Sequence, residues 1–203
     1  MSSFYRLVIS SLSCVSKATN LTLLCDGVPS YHLRGLEHVS LDNLVFLTLS
    51  ATVEEPVISF VYRNCSGLRG IDLNVVGRAN RWPGGPVSGC PKLTRFQGPA
   101  ELMPIFIPSS PVKSISVSFG QESNANDLLG ALSRAITPVD DVILEIPTWS
   151  VDYLGILRRH APDLVSIQLL HQIWTDEEYD MTPVILLHQR HGAESSYIIT
   201  RIS

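Results

Sequence analysis

Charge is scarce in this sequence: only 17% of its 203 residues are charged, the formal net charge is -4, and basic residues never run longer than the pair Arg158-Arg159. A phosphate backbone needs a clustered basic surface, so nucleic acid is not an expected partner. No stretch approaches the ~20 apolar residues of a membrane span, so a membrane is not expected either. Cysteine is sparse too. Cys14, Cys25, Cys65 and Cys90 form no C-x-x-C pair, and their gaps of 11, 40 and 25 fit neither a zinc site nor a dense disulfide framework. Reduced, buried thiols are expected, in a cytoplasmic or nuclear protein. The patterns Asn20-Leu-Thr and Asn64-Cys-Ser match glycosylation acceptors, which matter only for an exported chain.

Motifs of chemistry are missing as well. There is no G-x-S-x-G elbow, no G-x-x-x-x-G-K, no G-x-G-x-x-G and no H-E-x-x-H. His188 and His191 stand three apart but lack a supporting carboxylate or thiol, and Asp140 and Asp141 are neighbours that a strand would point to opposite faces. The run Asp176, Glu177, Glu178 and Asp180 reads as a solvated loop. No catalytic residue, metal or cofactor is expected.

What is present is apolar and periodic. Apolar residues make up 45% of the chain, enough to bury a sizeable core in one domain spanning 1-203. One frame, apolar-x-x-apolar-x-apolar, returns as Ala18/Leu21/Leu23, Leu44/Leu47/Leu49, Leu68/Ile71/Leu73, Val112/Ile115/Val117, Val139/Val142/Leu144 and Leu164/Ile167/Leu169, with a copy at Leu93/Phe96/Gly98 that ends in glycine. Steps between the central residues are 26, 24, 25, 19, 27 and 25. Each frame ends with period two, a strand signal, while the stretches between carry helical spacing.

Three return helices stand out. One starts at Asn126 or Asp127 and runs through Leu128, Leu129, Leu132 and Ile136. Another starts near Ser150, buries Leu154 and Leu157, and ends in Arg158, Arg159 and His160, whose charge suits a helix carboxyl end. A third begins at Glu54-Glu55-Pro56 and buries Val57, Phe60 and Val61. The prolines at 99, 104, 108 and 111 predict an extended return or a brief turn in the 19-residue step, and VGRANRWPGGPVSGC, from Val76 to Cys90, predicts a loop on the convex side.

The chain therefore divides into an N-terminal helix (1-16, with Phe4, Leu7, Val8, Leu12 and Val15 at helical spacing), repeats (17-170), and an acidic loop with a closing segment (171-203) whose last strand is expected near Tyr197 to Thr200. The fold class is α/β: an irregular solenoid of about seven right-handed strand-helix repeats, leucine-rich-repeat-like, with a parallel sheet on its concave face. An α/β enzyme with a doubly wound sheet is the remaining alternative.

The junctions NCSGL, GCPKL and HAPDL place a small residue three positions before each frame leucine. Helix followed by C-P-x-L-x-x-L-x-L resembles the leucine-rich repeats of F-box ubiquitin-ligase receptors, especially those of mushroom-forming fungi, from about Phe4 to Leu170. The resemblance implies a non-catalytic protein-protein interaction module, like the substrate-recognition part of such a receptor. A ligase adaptor is an expected partner only where an F-box lies upstream, since none precedes the first frame. A free-standing or truncated repeat scaffold without ligase association is the other reading.

Residues flanking each central apolar position would face outward on the concave side. They form two ladders: Asn20, Phe46, Gly70, Arg95, Ser114, Asp141 and Ser166, and Thr22, Thr48, Asp72, Gln97, Ser116, Ile143 and Gln168. These are the candidate partner-binding residues, glycine excepted. Trp82 in WPGGP is a candidate loop anchor, and Trp149 and Trp174 are expected in the core.

Overall fold

A computed structural model describes residues 3–25, 28, 30–52, 55–76, 90–108, 110–121, 123–148, 150–174 and 179–188. Eight strands form one sheet in the order of the chain: β1 (Asn20–Cys25), β2 (Phe46–Thr52), β3 (Gly70–Val76), β4 (Arg95–Pro99), β5 (Ser114–Ser118), β6 (Asp141–Ile146), β7 (Ser166–Trp174) and β8 (Tyr179–His188). The first seven are all parallel and β8 is antiparallel to β7. The strand order never reverses, so the sheet lacks the switch point at which doubly wound enzymes bind their ligands.

The helical segments are α1 (Ser3–Cys14), α2 (Ser30–Leu33), α3 (Glu55–Asn64), α4 (Met103–Phe106), α5 (Ala125–Leu129) and α6 (Asp152–His160), supplemented by 3-10 turns at Arg34–His38, Cys65–Gly67, Ala100–Leu102 and Leu132–Arg134. Together they make a repeat-like two-layer α/β arrangement.

The register aligns the frames. Leu21, Leu47, Ile71, Phe96, Ile115, Val142 and Ile167 lie side by side across the seven parallel strands. Period two explains this, because a slip by one residue would turn every frame residue out of the core. The entry into each strand also repeats. A single carbonyl accepts from two successive N–H groups of the next unit: Thr19 from Val45 and Phe46, Val45 from Arg69 and Gly70, Arg69 from Thr94 and Arg95, and so on to Asp140 from Val165 and Ser166.

One core lies between the sheet and the helical segments. Leu47, Leu49, Ile71, Leu73, Phe96, Val142 and Leu144 meet Val57, Phe60, Val61, Met103, Phe106 and Leu157 there, all essentially inaccessible. On the outermost strand, Leu21 and Leu23 are only half-buried. Burying α3's apolar face against the sheet agrees with its spacing.

The short return between Phe96 and Ile115 takes the brief-turn form of the two expected, a 3-10 turn followed by the single turn α4 with Pro104 near its start. Several other expectations need correction. Helix α5 begins earlier than expected, because Asn124 accepts from the backbone N–H groups of Asn126 and Asp127. It ends at Leu129, leaving Ile136 63% exposed. Leu7 and Val15, assigned to the apolar stripe of α1, are exposed. Residues 171–174, expected in an acidic loop, continue β7, and residues 179–188 pair with it as β8. A bulge between Leu169 and Leu170 accommodates Pro183, which has no N–H to offer the ladder. The expected strand at Tyr197 to Thr200, the loop at 77–89 with Trp82, and Trp149 lie outside the described residues.

The thiol expectation fails for one pair. Cys65 and Cys90 occupy equivalent positions in successive units, 4.8 Å apart at Cα, and their sulfurs form a disulfide; Cys14 and Cys25 take no part in it. Shared repeat phase brings the two together, a stacking that spacing along the chain conceals. Alkylation of the unfolded but unreduced protein should therefore label two cysteines, and four after reduction. Four labels before reduction would contradict the pairing.

Candidate functional site

Alternation along the strands leaves one sheet face uncovered by the helical segments. Both expected ladders lie on it in consecutive register, from Asn20 to Ser166 and from Thr22 to Gln168. Asn20, Thr22, Phe46, Arg95 and Asp141 are exposed, whereas Thr48, Asp72, Gln97, Ser114, Ser116, Ile143, Ser166 and Gln168 are half-buried. Gly70 is buried because Phe46 lies across it. A Cβ at position 70 would come within 2.5 Å of the Phe46 ring, so glycine gives the ring its seat.

A third ladder was missed, in two runs on either side of the β3–β4 gap: Leu24, Ser50 and Asn74, then Pro99, Ser118, Glu145 and Leu170. The frame stops at its last apolar residue, but the strands run on with the same alternation. That continued period, as in Val142, Leu144 and Ile146 around Glu145, was the available signal.

Two hollows indent this face. The smaller, about 240 Å³, lies beside Phe46, Gly70 and Arg95; the larger, about 450 Å³, reaches from Leu24 to Glu145; Thr48, Asp72 and Gln97 line both. Gly98 is among the residues lining the larger hollow. Its φ of 154° places it outside ordinary side-chain territory, and a Cβ there would meet the Leu73 carbonyl oxygen at 2.9 Å. Pairing of β3 with β4 accordingly stops at Asp72 and Gln97.

The charges within the larger hollow are Asp72 and Glu145. Burial pushes both carboxyls above their usual range; for Asp72 it outweighs the opposite pull of Arg95. A carboxyl whose pKa rises on folding supports the fold fully below its unfolded pKa and loses that support as pH rises through the folded value. At neutral pH both groups therefore weaken the fold of the free protein.

Elsewhere, Lys113 Nζ lies 3.8 Å from Asp140 Oδ2, which places that carboxylate in an exposed ion pair at the start of β6. On the helical side, a hollow of about 340 Å³ is lined by Thr137 and His160, whose Oγ1 and Nε2 are buried without a partner among the described residues. Its size and paired polar atoms suit ordered water. Among the described residues no three His, Cys, Asp or Glu side chains gather as a metal site, and no helix is long and apolar enough to cross a membrane.

Comparison with family models, with curated proteins and with solved structures finds no match to this chain.

Proposed function

We propose that the chain is a leucine-rich-repeat-like solenoid whose open sheet face binds protein, as a non-catalytic interaction module. The observation that carries this reading is the seven-strand register, which stacks two ladders of mostly small polar residues, flanked by a third in two runs, across one sheet face. Such a surface suits an extended protein segment better than a small molecule, because its hollows are open and shallow. The strand order without reversal speaks against the enzyme alternative.

The resemblance to F-box receptors extends the proposal to substrate recognition for a ubiquitin ligase, with the adaptor as partner where an F-box lies upstream. A cytoplasmic or nuclear setting goes with that role. The Cys65–Cys90 bridge bears on it directly, since reducing compartments disfavour disulfides.

The test compares proteins captured by the parent chain with those captured by the folded double variant Thr48→Arg/Ser116→Arg, which fills the face with bulky charge. Partners lost on substitution support the reading, and a ligase adaptor among the retained proteins supports the receptor role. An unchanged set would overturn use of this face.

A further inference from the structure

We propose that the hollowed face takes an extended protein segment carrying two basic side chains four residues apart, one against Asp72 and the other against Glu145. This rests on the interaction reading above and names the chemistry of its partner.

Asp72 is on β3 and Glu145 on β6, three strand steps across and two residues further along. With strands ~4.8 Å apart and ~3.3 Å per residue, their Cα atoms are separated by roughly 16 Å. An extended segment crossing the strands advances about 13 Å in four residues and returns to the same side, and long basic side chains span the remainder. Steps of two or six residues fall well short or overshoot.

The charge pattern selects the sign. Both charged residues of the larger hollow are acidic, and neither carboxylate has a hydrogen bond or ion pair within 4.0 Å among the described residues. Arg95 lines only the smaller hollow, beside Asp72. Between the two carboxylates lie Gln97, Ser116 and Ser118, which offer donors and acceptors to a crossing backbone. Leu24, 74% exposed, and Phe46, 49% exposed, stand at the near end as apolar contacts. Carboxylates borne on Cα atoms roughly 16 Å apart cannot both reach one metal ion. A segment with two cations relieves two half-buried charges that the free protein holds at a cost.

The probe is a capped peptide with the core Lys-Thr-Val-Thr-Lys, titrated into isotope-labelled protein and followed by amide chemical shifts, beside a control with both lysines replaced by glutamine. The lysine peptide is expected to shift β3 to β6. Asp72→Asn and Glu145→Gln should each raise its Kd about three- to fivefold, the worth of one part-exposed ion pair. Glu145→Gln should also raise the melting temperature of the free protein, which a merely structural carboxylate would not do. Equal binding of the glutamine peptide at the same face would overturn the basic-segment inference and leave the interaction reading standing. Shifts confined to other surfaces, or none with either peptide, would overturn the inference and count against the face as an interaction site.

Discussion

Replacing Phe96 by alanine should lower stability by about 3–5 kcal/mol, the usual cost of emptying a large aromatic site in a core. Phe96 is fully buried at the centre of the aligned frame row and stacks on Phe106, with ring centroids 5.6 Å apart. Its unit has less material than the others, since 19 residues separate Phe96 from Ile115 where the other steps take 24 to 27, and Gly98 contributes no side chain at the third frame position. The ring compensates for both. Where the neighbouring frames use Ile71 and Ile115, a phenylalanine fills volume that a leucine and a longer helix would otherwise supply. Chains of this size lose about 2–4 °C per kcal/mol, so a drop on the order of 10 °C is expected in thermal denaturation. Phe96→Leu should lose less than half as much. Equal loss for both substitutions would contradict the volume argument.

The second large effect is expected at Asn64, 4% exposed at the end of α3. Its Oδ1 accepts from the Leu41 N–H at 2.7 Å, and its Nδ2 donates to the carbonyls of Phe60 at 2.8 Å and Val39 at 3.2 Å. One amide thus ties the end of a return helix to the backbone of the preceding unit. Asn64→Leu keeps the branched heavy-atom outline, somewhat enlarged, and removes every side-chain bond, leaving the Leu41 N–H and the Val39 carbonyl buried and unpaired. At about 1–3 kcal/mol for each such group, the loss is expected to be roughly 2–6 kcal/mol by denaturant titration. Asn64→Asp retains the acceptor but turns an oxygen toward two carbonyls. Its carboxyl pKa rises on folding, so support is present at low pH and lost as pH rises through the folded value. The aspartate variant should therefore approach the parent in mild acid and fall away at neutral pH. A pH-independent deficit would contradict this hydrogen-bond assignment.

The central residues of all seven frames are in register because period-two burial leaves a strand only one way to face a core. The two polar ladders follow from the same alternation, and so the outward face was legible before any contact was known. Long-range relations were not. The repeat phase shared by Cys65 and Cys90 shows in the junctions NCSGL and GCPKL, but their bond does not, and Asn64 meets Val39 and Leu41 only after successive units stack. Residues 171–174 were expected in a loop because the run HQIWTDEEYD is polar and acidic, whereas pairing with β8 gives them backbone partners that composition does not reveal. Glu145 escaped notice because it stands beyond the frame's last leucine, on a strand that runs two residues further.

The sequential parallel order carries the whole account, and inter-spin distances test it most directly. With Cys14 and Cys25 replaced by serine, labels would be placed at Thr22→Cys together with Gln97→Cys, Ile143→Cys or Gln168→Cys, all on one ladder. At ~4.8 Å per strand, separations of about 14, 24 and 29 Å are predicted, shortened somewhat by sheet curvature but rising in that order. A distance from Thr22→Cys to Gln168→Cys shorter than that to Gln97→Cys would contradict the strand order and, with it, the continuous sheet face on which the proposed function rests.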